Sequence, residues 1–199
     1  MKYLKLLGLA AVAATALIAF VGAGTASAVT LCTTDEPGTT TCTGSAWKVT
    51  HIEASQIGSG VLEDTSGNTL ITCTTSSMTA GPMSTGGGAG TPSTGSVTAL
   101  SFSNCNSTPV VLKKGTLSVN SSRQFISNGG EITASLFGVS CNYATSNTVL
   151  GTGVQGSDTL TINAVIKRSA GGFLCPETTK WTATFTITNH KAGIYVTTE

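Results

Sequence analysis

The alternation of apolar and polar positions is clearest in the C-terminal half of the chain, and it has a period of two. Trp181, Ala183, Phe185 and Ile187 fall on one face, while Thr182, Thr184, Thr186 and Thr188 fall on the other, the pattern of a half-buried strand. Leu160, Ile162, Ala164 and Ile166 alternate likewise against Thr159, Thr161, Asn163 and Val165. Leu100 and Phe102 precede Asn104-Cys105-Asn106, and residues 110–112 lead through a turn at Lys113-Lys114-Gly115 to Leu117 and Val119. Asn128-Gly129-Gly130 reads as a hairpin turn. Beyond it Ile132, Ala134 and Leu136 share a face before the phase slips to Phe137, Val139 and Cys141, which predicts a bulge near Gly138. Closer to the N-terminus, Trp47, Val49 and His51 alternate as a first strand, with shorter runs at 61–62 and 69–74. Residues 194–196 form a last short strand, and no helical stripe occurs after residue 28.

Short strands separated by Gly, Asn and Ser turns predict an all-β fold, an antiparallel β-sandwich or a partly closed barrel. The stretch 76–96 is rich in Gly, Ser, Thr and Pro and includes Gly86-Gly87-Gly88; it reads as a long loop, or as a linker between domains. The loop reading makes 45–199 a single β-domain, preceded by an arm over 29–44 with a turn at Glu36-Pro37-Gly38.

Export changes the picture most. Lys2 and Lys5 precede an apolar run over 6–21, and Ala26-Ser27-Ala28 then supplies the small residues that a signal peptidase cuts after. The mature chain is expected to begin at Val29. A membrane anchor is the rival reading, but the run is Ala-rich, interrupted by Thr15 and shorter than the roughly 20 apolar residues of a spanning helix. No membrane span is therefore expected once the leader is removed. Without the leader the chain carries eight basic and nine acidic residues, a balance with no field to draw nucleic acid.

All six cysteines, Cys32, Cys42, Cys73, Cys105, Cys141 and Cys175, lie in the exported part. An even number outside the cytoplasm reads as disulfides, and pairing in sequence order closes three local loops: Cys32-Cys42, Cys73-Cys105 and Cys141-Cys175. Zinc sites favour closely spaced cysteine pairs, which this chain lacks, so no metal and no cofactor is expected.

The segment Gly171-Gly172-Phe173-Leu174-Cys175-Pro176, with Trp181-Thr182-Ala183-Thr184-Phe185, Ile194-Tyr195-Val196 and Phe102-Ser103-Asn104-Cys105, resembles a group of uncharacterised secreted β-rich proteins of actinobacteria. The resemblance implies export and a shared β-domain; it lends no activity and no site residues.

Candidate chemistry is sparse. His51 and Glu53 are two apart on an expected strand, so both side chains would share a face; His190 lies in the turn sequence Asn189-His190-Lys191. Glu63, Asp64, Glu131, Asp158 and Glu177 supply further carboxylates without a marked context. The nucleophile-elbow pattern is absent. No catalytic residue is assigned. Spaced hydroxyls at Thr182, Thr184, Thr186 and Thr188 would suit polysaccharide or ordered water if several strands aligned in register. Trp47 and Trp181 each begin an apolar set and read as core. The resulting expectation is a secreted or cell-envelope-associated, non-catalytic β-domain that binds an extracellular or cell-surface ligand. The alternative is an extracellular hydrolase assembled from scattered residues, recognisable by convergence of His51 or paired carboxylates in a pocket.

Overall fold

The computed structural model describes residues 29–33, 42, 48–84, 91–190 and 193–198; the leader and Trp47 lie outside them. The described residues form strands β1 (Val29–Cys32), β2 (Ile52–Glu63), β3 (Thr69–Ala80), β4 (Ser93–Cys105), β5 (Val110–Lys113), β6 (Thr116–Val119), β7 (Gln124–Asn128), β8 (Glu131–Leu136), β9 (Val139–Ala144), β10 (Thr148–Thr152), β11 (Thr159–Ala170), β12 (Thr178–Ile187) and β13 (Tyr195–Thr198). β1 and β13 pair as a ribbon, and the others make one antiparallel sheet in the order β10-β7-β6-β4-β3-β2-β12-β11-β9-β8-β5.

That order resolves into a simpler plan. β5 pairs with β8, while β6 pairs with β4 and β7. β7 also pairs with β10, and β8 with β9. Each of β5/β6, β7/β8 and β9/β10 is thus one long strand interrupted half-way. Counted so, the eleven strands of the sheet are eight staves running up and down in sequence order, and β12 returns to pair with β2. This is the connectivity of an up-and-down barrel. In the half built by β6, β7 and β10, β10 lies so close to β11 that a Cβ on Gly151 would meet the Thr161 carbonyl oxygen at 2.1 Å. In the other half β9 pairs with β11. β4 joins the β5/β6 stave by a ladder only over 93–96, and among the described residues β5 pairs with β8 alone. The result is a partly closed barrel with a seam between β4 and β5.

Several local expectations change. Lys113-Lys114-Gly115 and Asn128-Gly129-Gly130 are kinks, not hairpins. Gly115 and Gly129 have φ of 69° and 71°, and one left-handed residue swings the chain without reversing it. Gly129 N–H donates to Thr145 O and Thr145 N–H to Gly130 O, carrying the ladder across the break. The slip at Phe137-Gly138 is a hairpin turn instead of a bulge: Leu136 faces Val139, and φ of 52° and 78° at the two central residues is the primed turn that matches strand twist. Gly58-Ser59-Gly60, which resembles a turn in sequence, lies inside β2, where the register with β3 jumps between Ser55 and Gly60. The Gln56 amide fills that bulge by donating to the Gly58 and Cys73 carbonyls at 2.9 and 2.8 Å and accepting from Ser76. The first long strand is therefore 52–63, not 47–51; Lys48 makes only an isolated bridge to Cys32. The 76–96 stretch is also shorter as a loop than expected, because β3 runs on to Ala80 and β4 starts at Ser93.

All three disulfides join cysteines in sequence order: Cys32–Cys42, Cys73–Cys105 and Cys141–Cys175. Cys73 and Cys105 face each other in register on β3 and β4, which places their Cα atoms 4.0 Å apart, closer than the usual 4.4 Å lower bound of about that size for bridged pairs.

Inward residues form two apolar clusters. One gathers Ile52, Leu117, Phe125, Leu160 and Ile187, and is capped by Val29, Leu31, Val49 and Ile194 from the β1/β13 end. The other gathers Leu62, Ile71, Ala134, Leu136 and Tyr143 around Cys73, Cys141 and Cys175. Trp181 packs against both. Most outward positions on the long strands are polar, such as Thr159, Thr161 and Lys167 on β11 and Lys180, Thr182 and Thr184 on β12, with Val165 on β11 and Ile57 on β2 exposed among them. Apolar inside and polar outside is the reverse of a membrane-spanning barrel, and among the described residues no helix is long and apolar enough to cross a membrane.

Candidate functional site

Between the two clusters the barrel holds a partly open cavity of about 140 Å³. Its walls follow from inward positions of the long strands. β11 contributes Leu160, Ile162, Ala164 and Ile166, β12 contributes Trp181 and Phe185, and β4 contributes Leu100 and Phe102. Phe102 meets Trp181 edge-on with ring centroids 5.6 Å apart, a favourable aromatic arrangement. Tyr143 and Ile132 line the far side. The Tyr143 hydroxyl donates to the Pro176 carbonyl at 3.3 Å, and burial pushes the phenol above its ordinary pKa.

The space exists because two inward positions, Ala54 on β2 and Ala164 on β11, carry only a methyl group. An eight-stranded barrel is just wide enough for side chains to fill it or for one small ligand to replace some of them. Interiors rarely keep a void larger than a water molecule.

The polar lining sits in one corner, where the interrupted strands kink: Lys114, Ser127, Gly130, Glu131 and Thr145. Most of these groups are satisfied locally. The Ser127 and Thr145 hydroxyls lie 2.9 Å apart, and Thr145 Oγ1 accepts from Gly130 N–H at 2.9 Å. Glu131 pairs with Lys113 at 2.7 Å and accepts from Ser169 Oγ at 2.8 Å. Lys113 first and Ser169 second hold the Glu131 carboxyl below its ordinary pKa. Lys114 is exposed and donates to the Thr98 carbonyl at 2.6 Å.

The residues singled out for chemistry lie elsewhere. His51 is exposed and precedes β2, its Nδ1 3.1 Å from Thr50 Oγ1. His190 Nε2 lies 3.0 Å from the His51 carbonyl, and Asn189 ties both segments to β2 through Glu53 N–H. This cluster is held by backbone contacts at the rim, away from the cavity. Asp64 caps the β2–β3 turn, where Asn68 first and then Ser66 and Gly67 lower its pKa. Asp158 accepts from Thr159 Oγ1 at 3.1 Å, and Glu177 is 3.9 Å from Arg168. Among the described residues no three His, Cys, Asp or Glu side chains come together in a metal-holding group.

The threonine face extends further than one strand. Thr186 faces Thr159 and Ser55, Ser55 faces Ser77, and Ser77 faces Ser101, with the last two hydroxyls 2.8 Å apart. The adjacent row breaks at the bulge, where Thr184 faces Ile57, so the alignment is a single row. Phe137 and Phe173, 72% and 94% exposed, project from the turns at the end opposite the β1/β13 cap.

The cavity had no sequence signal of its own, because Ala54 and Ala164 read as ordinary core positions. Set against known protein families, curated proteins and solved structures, the chain matches none.

Proposed function

We propose that the protein is a secreted or envelope-associated, non-catalytic β-barrel domain that carries a small apolar ligand in its interior. The observation that carries this reading is the cavity: about 140 Å³, walled almost entirely by aliphatic and aromatic side chains, inside a barrel of eight staves. A dry cavity of about this size binds an apolar molecule the size of benzene. Export is supported by the leader pattern and by three disulfides. The hydrolase alternative gains no observation in its favour, since the lining holds one carboxylate, Glu131, already engaged by Lys113 and Ser169.

Titration of isotope-labelled protein with toluene, followed by methyl NMR, tests the reading. Saturable shifts confined to methyls such as those of Leu100, Ile162 and Ile166, lost in Ala164→Leu, are the expected result. Shifts spread over the surface, or none, would refute it.

A further inference from the structure

The cavity is apolar on every side but one, and that side carries a single uncommitted charge. At the kink belt Lys113 neutralises Glu131, and Ser127 and Thr145 bond each other. Lys114 enters neither of the two ion pairs found among the described residues. Its ammonium has three donors, and the Thr98 carbonyl takes one. The corner therefore presents an apolar chamber lined in part by Lys114, whose ammonium is exposed and bonded to the Thr98 carbonyl. We propose, resting on the reading of the cavity as a ligand site, that the ligand is a small amphipathic carboxylate: an apolar body of about six carbons held between Leu100, Ile162 and Trp181, with its carboxylate at the Lys114 ammonium.

The chemistry favours this class over a neutral or cationic one. The apolar body gains by leaving water, whereas the head group stays at an exposed rim and escapes the cost of burying a charge. A cationic head would meet Lys114 with like charge, and Glu131 has no free charge to offer it. Lys114 is also placed by the fold: Gly115, at φ 69° and with Asn128 O and Gly130 N where its Cβ would be, fixes the kink from which the side chain leaves.

Calorimetric titration of the purified protein at low ionic strength with hexanoate and hexanol, and with phenylacetate and phenylethanol, separates this inference from the reading beneath it. Each acid should bind about fivefold more tightly than its alcohol, the most an exposed ion pair supplies, and added salt should erode the difference. Lys114→Gln should erase the preference, so that each acid binds no more tightly than its alcohol to the same variant. Equal binding of acid and alcohol, or a preference that survives Lys114→Gln, overturns the carboxylate assignment and leaves the apolar cavity as a ligand site. Failure of all four compounds to bind overturns both.

Discussion

Replacing Ala164 by Leu should stabilise this protein, which is an unusual result for a small-to-large change at a position only 1% exposed. Ala164 sits mid-way along β11, faces Trp181 in register on β12 and lines the cavity. Leucine adds three carbons, each worth about 0.8 kcal/mol when buried, or roughly 2.4 kcal/mol in all. Ordering the leucine side chain takes back about 0.5–1 kcal/mol, leaving a gain near 1.5 kcal/mol. For a chain of this size that raises Tm by about 3–6 °C. The same change at Ala134, fully buried in the disulfide-end cluster and away from the cavity, has no space to enter and should destabilise by about 1–3 kcal/mol. Urea unfolding with an unchanged m-value reads both effects. If Ala164→Leu lost as much stability as Ala134→Leu, the barrel would have no room beside Trp181 and the reasoning would fail.

Phe185→Ala, which removes an inward aromatic of β12, should cost about 3–5 kcal/mol, and the outward Thr184→Ala less than about 1 kcal/mol; equal melting losses would mean that the strand is inside out. Thr179 Oγ1 is buried without a hydrogen-bond partner, so Thr179→Val should raise stability by about 1–2 kcal/mol in urea unfolding, and a loss would reveal a partner. Because Lys113 and Ser169 depress the Glu131 pKa, the stability this carboxylate adds is complete above the ordinary value of 4.5 and is lost as pH falls through the lower folded value. The advantage of the wild type over Glu131→Gln should therefore shrink on acidification, and a constant difference would reject the linkage. Intact-mass measurement of the exported protein should place its first residue at Val29; a full-length, membrane-retained product would contradict the leader reading.

Strands whose two faces differ strongly were legible from sequence. β11 and β12 alternate large aliphatic and aromatic residues against threonine, and both occur as expected. β2 and β3 were obscured because Ser55, Ser76, Ser77 and Thr79 interrupt the contrast and because a bulge at Gly58 mimics a turn. The same ambiguity hid the barrel. A glycine with positive φ serves a hairpin or a kink equally well, and only the partner strand decides which. For β5/β6 and β7/β8 the partners lie on other staves, a non-local fact. Sequential disulfides were predictable because each closes a neighbouring pair of staves or an arm. The candidate site was not: an inward alanine reads identically whether a neighbour fills the space beside it or leaves it open.

A crystal structure under xenon pressure tests the central claim most directly, since xenon enters dry apolar cavities of this size. The account predicts a xenon site enclosed by Leu100, Ile162, Ile166 and Trp181, absent from Ala164→Leu. An interior filled by repacked side chains, or xenon confined to the surface around Phe137 and Phe173, would contradict it.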